Sequence, residues 1–414
     1  MKCNRTVILL AGVCSLLYSG LIYAWSIFVA PLENEFGWTR AETSTAYTVS
    51  LSCFCIGILL SGMLARRFKP RRISVIASIL IVLGFTCVSR ATMLLHLYIF
   101  YGVLCGLGVG VNYNVWLTTV VKWFPERSGF ASGVLLMGFG CGGLVLGAAV
   151  SALLYSPVGW RNTFLILAGA VLVVTACTLP FLSQPNTESQ TITDDTDVSL
   201  NTSKMLRQPA FWLFTLWKIV VVGIGQCLIG QAAPLVADVG GTVALATLVV
   251  GAISIANGIA RVLFGLFFDR FGRYATMWIL TIGNGALAIV LLFSYQNRLS
   301  VPLCVSLCLA GLLYGGSALI SSAFINNVFG LKYFSSNMGV NSLTTIPATV
   351  FASTLISVIK TQTGNYTAFF PVMLVICVLA GLTLFPMPAA IRRIYTMHND
   401  HQTTQKCLAK MDRT

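Results

Sequence analysis

Arg261 and Lys218 stand where a cation is costly, inside long apolar stretches: Arg261 in Asn257-Gly-Ile-Ala-Arg261, Lys218 about nine residues into a run that opens at Ala210. A charge at the centre of a membrane-spanning helix costs at least about 2.5–3.5 kcal/mol, so an ionisable residue kept there is a functional candidate by default. A guanidinium cannot lose its proton and offers two parallel donors to one carboxylate, which suits Arg261 to anchoring an organic anion. The competing reading has it snorkel to the interface or pair with Asp269, about two helical turns away. Lys218 sits ~13 Å along its helix at 1.5 Å per residue. Its flexible stem reaches the headgroups from there, so snorkelling is the favoured reading and a cavity-facing ammonium the alternative.

The acids are distributed differently. All twelve Asp and Glu residues map to loops, helix ends or tails, and His96, His398 and His401 also fall near expected ends. No buried proton relay is legible, and export of cationic drugs, which usually needs a membrane carboxylate, is disfavoured. Tyr23, Tyr47, Tyr113, Trp116 and Tyr314 lie within apolar runs and offer hydroxyl or indole donors on amphipathic rings, a fitting wall for a small anion. Lipid-facing or interfacial placement is at least as good a reading for any one of them. The thirteen cysteines are scattered, without a ligand cluster, and read as small apolar filler. No phosphate-cradling loop is present, which argues against an ATP-driven pump. No catalytic constellation and no cofactor is expected.

The elements that must position these residues follow from composition. The chain has 414 residues, 57% hydrophobic and 9% charged, against about 25% charged in soluble domains. Apolar runs cover Val7–Leu32, Thr43–Ala65, Ile73–Ser89, Ala91–Val121, Ser128–Trp160 and Asn162–Leu182, then Ala210–Ala237, Val239–Phe268, Tyr274–Asn297, Leu299–Leu331, Tyr333–Ile359 and Thr361–Ile391. Each is long enough to cross a hydrocarbon core as a helix and lacks the alternation of a barrel strand. Twelve membrane helices in two sets of six are expected, an all-α membrane protein. The Lys2 and Arg5 lead-in to the first run is read as an uncleaved helix, because the run exceeds a signal peptide's core.

The net charge of +14 marks cytoplasmic loops and not a nucleic-acid partner. Nineteen basic residues fall on one side of the expected topology and five on the other. Both termini are therefore expected inside. The polar segment from Ser183 to Met205 divides the chain into residues 1–182, a linker at 183–207, residues 208–391 and a cytoplasmic tail at 392–414. Two internal echoes support that split. Gly62-Met-Leu-Ala-Arg-Arg-Phe-Lys-Pro-Arg-Arg72 follows the second run and Gly265-Leu-Phe-Phe-Asp-Arg-Phe-Gly-Arg273 the eighth; Ser128–Gly133 and Ser335–Gly339 enter the fifth and eleventh. Parallel six-helix repeats place a substrate site near the midplane between the halves. Gly106, Gly108 and Gly110, and Gly133, Gly138 and Gly140, suit close helix seams, either static or sliding.

The Gly265, Asp269, Arg270, Gly272 and Arg273 pattern resembles the loop signature of the major facilitator superfamily, over essentially the whole chain. Three further stretches are similar to the oxalate:formate antiporter family and its monocarboxylate-porter relatives. They are Tyr23-Ala-Trp-Ser-Ile-Phe28 through Pro31-Leu32, Glu35-Phe-Gly-Trp38, and Lys122-Trp-Phe-Pro-Glu-Arg127 with Gly129, Ala131 and Gly133. The resemblance implies exchange of small carboxylates across a bacterial inner membrane, with Arg261 binding the carboxylate and Asp269, Arg270, Arg273 and Arg66 gating. Arg66 departs from that pattern, standing where an Asp is usual. Asn257 stands where monocarboxylate porters often carry an acid, and Thr349 where oxalate exchangers carry a lysine. A monocarboxylate is the favoured substrate, moved by a monomer whose partners are a small organic anion and the bilayer. The alternatives are a porter for an unrelated solute and a non-transporting membrane sensor, the latter disfavoured by the very short tails.

Overall fold

A computed structural model describes residues 4–21, 25–154, 156–185 and 199–396, all in helices and short connections. Helix starts follow local chemistry. Asn4 caps α1 (Arg5–Ser19) by accepting from Thr6 N, and the first run continues as α2 (Trp25–Phe36). Thr39 and Glu42 form a reciprocal capping box at α3 (Arg40–Leu64), satisfying two otherwise orphaned donors. Pro70 opens α4 (Pro70–Val88), where a missing N–H costs nothing. The fourth span begins as α5 (Leu94–Leu97), passes through a π-helical stretch at Tyr98–Cys105 and ends as α6 (Gly106–Trp123). Next come α7 (Ser128–Leu154) and α8 (Gly159–Thr178).

The second half repeats the plan. A short α9 (Thr202–Leu206) precedes α10 (Pro209–Gly230) and α11 (Ala232–Asp238). The helix α12 (Val243–Gln296) is two spans joined at Gly272, whose φ of 80° lies in the region that only glycine occupies without strain. Then follow α13 (Ser300–Phe329), α14 (Phe334–Leu343), α15 (Thr345–Thr363) and α16 (Phe369–Leu384). Among the described residues, ten helices are long and apolar enough to cross a membrane; α12 is long enough for two crossings, and α1 is a shorter apolar helix. This is the twelve-helix architecture that the runs predict.

Two boundaries differ from the sequence reading. Trp160 belongs to α8 and not to the fifth span: Gly159, at φ 68°, turns the chain, and the Trp160 indole donates to Glu35 while Arg161 pairs with the same carboxylate at 2.7 Å. Those contacts hold the Glu35 carboxyl below the usual carboxylate range, the Trp160 hydrogen bond first among them. The last span begins at Phe369 and not at Thr361, because α15 runs on to Thr363 and Gly364, left-handed at φ 73°, caps it.

The outer surface is apolar in the way a lipid-facing bundle requires. Leu248, Ile255, Ile259, Leu263 and Leu266 form a stripe along α12, each about half exposed or more. Inside, Arg261 and Lys218 are the charged side chains among the buried set, 6% and 3% exposed.

Candidate functional site

The two halves meet in two equivalent seams. In one, α7 lies on the first part of α12. The Asp269 carboxylate accepts from Gly129 N at 2.9 Å and Phe130 N at 2.8 Å, capping α7 from the opposite half. A Cβ on Gly129 would sit 2.6 Å from Gly265 O, and one on Gly133 would sit 2.3 Å from Arg261 O, so this seam is a backbone-to-backbone contact. In the other, α14 lies on the end of α3. Arg66 Nε donates to Ser336 Oγ at 3.3 Å, and that hydroxyl donates to Gly62 O at 3.0 Å. The echoed segments at Ser128 and Ser335 thus occupy equivalent places. Both seams are closed on the side where the positive-inside rule puts the cytoplasm.

Arg261 stands at the upper end of the first seam. One Nη1 bond runs to the Leu136 carbonyl of α7, Gly140 lies against the guanidinium, and the buried Nε has no hydrogen-bond partner among the described residues. Asp269 is not its partner, since both carboxylate oxygens are taken by α7 amides. Snorkelling is also absent: the group is held inside the bundle. A buried guanidinium with an unpaired Nε and no ion-pair partner among the described residues is one that an anion would stabilise.

Lys218 likewise does not snorkel. Its Nζ donates to Asn341 O at 2.8 Å and Thr344 Oγ1 at 3.0 Å, at the break between α14 and α15. Carbonyl and hydroxyl acceptors at an interrupted helix take two of the three ammonium donors, which offsets the drive toward the headgroups. Tyr113 stands within electrostatic range of Arg261 and of Cys55, and Cys55 within that of Lys218. Tyr314 lies within the same range of Tyr113 and Tyr47. Tyr113 is fixed edge-on against Phe54 and Phe139.

The remaining candidates divide. Thr349 is exposed and donates to Gln226 Oε1 at 2.9 Å, and Gln226 Nε2 approaches the Tyr314 hydroxyl at 3.4 Å. Gln226 was not among the candidates read from the sequence; the signal was a polar residue two turns beyond Lys218 in an apolar helix. Asn257 packs against Gly315 with its buried Oδ1 unpaired among the described residues. Trp116 is fully enclosed, touching the Gly12 position of α1, with its buried Nε1 unpaired among the described residues. Tyr23 lies outside the described residues. Of the gate candidates, Arg270 is exposed and stacks on Phe271, while Arg273 binds Asn327 Oδ1 within its own half.

Two sets of helices closed against each other on one side, with Arg261 and Lys218 buried inside, have the architecture of a membrane transporter. The chain belongs to the Major Facilitator Superfamily, whose family model matches residues 8–238 and 219–395. It is 28% identical to the oxalate:formate antiporter of Oxalobacter formigenes over 394 residues, covering 94% of this chain and 93% of that one. Monocarboxylate transporter 12 of Rattus norvegicus is 33% identical over 156 residues, 37% of this chain and 31% of its own length. Among solved structures, the proton:xylose symporter XylE bound to 6-bromo-6-deoxy-D-glucose superposes with a TM-score of 0.72 over 94% of this chain and 96% of its own, at 14% identity. That last likeness concerns the fold alone.

Proposed function

We propose that this transporter carries small carboxylate anions by exchange, with Arg261 as the anion anchor. The observation that supports this most is the buried, unpaired Nε of Arg261 beside Tyr113. The likeness to an oxalate:formate antiporter over nearly the full chain points the same way. No carboxylate is buried among the described residues, which favours exchange over a proton-coupled cycle. The gating roles of Asp269 and Arg66, and the lining roles of Tyr47, Tyr314, Gln226 and Thr349, belong to the same proposal.

A monocarboxylate remains the favoured cargo, because two of the three Lys218 donors are held by Asn341 O and Thr344 Oγ1 and Thr349 brings no charge. A second carboxylate buried without a partner costs several kcal/mol. Competition of formate, lactate and oxalate against labelled substrate tests this. Formate or lactate should compete best, and Lys218→Gln should leave that ranking unchanged. Stronger inhibition by oxalate that disappears in Lys218→Gln would give Lys218 the second carboxylate and overturn the preference.

The orientation proposed has both termini in the bacterial cytoplasm, with the linker inside and Glu33 to Glu42 outside. Impermeant-thiol labelling of single cysteines in intact cells, in a background without native cysteines, should mark position 38 and spare position 195. The reverse pattern would invert the topology.

A further inference from the structure

The second cytoplasmic seam encloses a cavity of about 320 Å³ between the ends of α3, α4 and α6 in one half and the start of α14 in the other. Three basic side chains line it: Arg66 and Lys122 from the first half, Lys332 from the second. Gln184, at the start of the linker, also reaches the wall, and no carboxylate is among the described lining residues. Lys122 has no hydrogen bond or ion pair among the described residues, and Lys332 rests on the Tyr333 ring. Ser335 and Ser336 supply hydroxyls on the opposite wall.

The equivalent place in the other seam is chemically different. There Asp269 bridges the halves, with Arg127 in electrostatic range, so cation and anion balance. Here Arg66 stands in the acid's position, and its guanidinium adds positive charge to the positive end of the α14 dipole. Three like charges drawn from both halves repel one another across a closed gate. Their arrangement around an open volume is that of an anion site.

We infer that this cavity binds a small multivalent oxyanion of the phosphate class from the cytoplasm, which takes the place of the missing gate carboxylate. Its ligands come from both halves, so the site is complete only while the cytoplasmic side is shut. The bound anion therefore holds the gate closed. The inference rests on alternation of the two halves and not on the identity of the transported anion.

Thermal unfolding of the purified full chain tests it, with sodium phosphate titrated against sodium chloride at matched ionic strength. Phosphate should raise the midpoint saturably and chloride should not. Lys122→Gln and Lys332→Gln should each weaken the phosphate response about tenfold or more, the loss of one charge-assisted hydrogen bond. Arg66→Asp, which restores a fixed carboxylate, should fold and lose the response outright, and Arg261→Ala should keep it. Equal shifts from both salts, or an undiminished response in Arg66→Asp, would overturn the site. Loss of the response in Arg261→Ala would move phosphate to the transport pathway and overturn it equally. A wild-type chain indifferent to phosphate until Glu188, Asp194, Asp195 and Asp197 are neutralised would assign the cavity to the linker's own carboxylates.

Discussion

Arg261→Lys is expected to cut carboxylate transport by about 10- to 100-fold although the charge is kept. The guanidinium spends one Nη1 donor on the Leu136 carbonyl and retains the buried Nε for a ligand. A lysine has a single ammonium that would have to serve both the carbonyl and the anion. Each lost charge-assisted hydrogen bond is worth roughly 1.5–3 kcal/mol, and about 1.4 kcal/mol is tenfold in binding. Arg261→Ala should abolish transport in correctly inserted protein, since a carboxylate would then enter an apolar seam without a counter-charge. Near-normal transport by Arg261→Ala would remove it from the mechanism.

Gly133→Ala should be nearly as damaging for a different reason. The added methyl would lie 2.3 Å from the Arg261 carbonyl oxygen, a backbone atom that cannot swing aside. Helices α7 and α12 must then separate on the cytoplasmic side, where Asp269 also caps α7. Overpacking of this kind costs about 1–3 kcal/mol. The shift should open that side and slow transport about tenfold, read as increased alkylation of a cysteine placed at position 132, where it replaces a buried serine of α7 with little change of volume. Gly251→Ala on the same α12 is the control, with nothing within 4 Å of its Cβ, and should be neutral. Equal effects of the two substitutions would show that helix stability and not the seam is at stake.

The membrane architecture was readable because apolar run length and loop charge are properties of sequence alone. Boundaries failed where tertiary contacts decide: Trp160 joins α8 because its indole finds Glu35, and α15 outlasts its apolar run until Gly364 stops it. Arg261 was legible as a costly charge, but its release from Asp269 was not, since that depends on two α7 amides supplied by the opposite half. Lys218 misled for the same reason. Its acceptors, Asn341 O and Thr344 Oγ1, become available only because the eleventh span breaks between α14 and α15. Gln226 was legible only as a lone amide two turns beyond Lys218, and its place in the site depends on Tyr314 and Thr349 being brought beside it. Trp116 shows the converse, a ring that sequence cannot distinguish from a cavity wall and packing assigns to the first half's core.

Carboxylate exchange at Arg261 is tested most directly in proteoliposomes holding purified protein, by following labelled formate with and without unlabelled carboxylate inside. The account predicts rapid uptake that requires internal carboxylate and is lost in Arg261→Ala. Uptake that ignores internal carboxylate, or that survives loss of the Arg261 guanidinium, would contradict it.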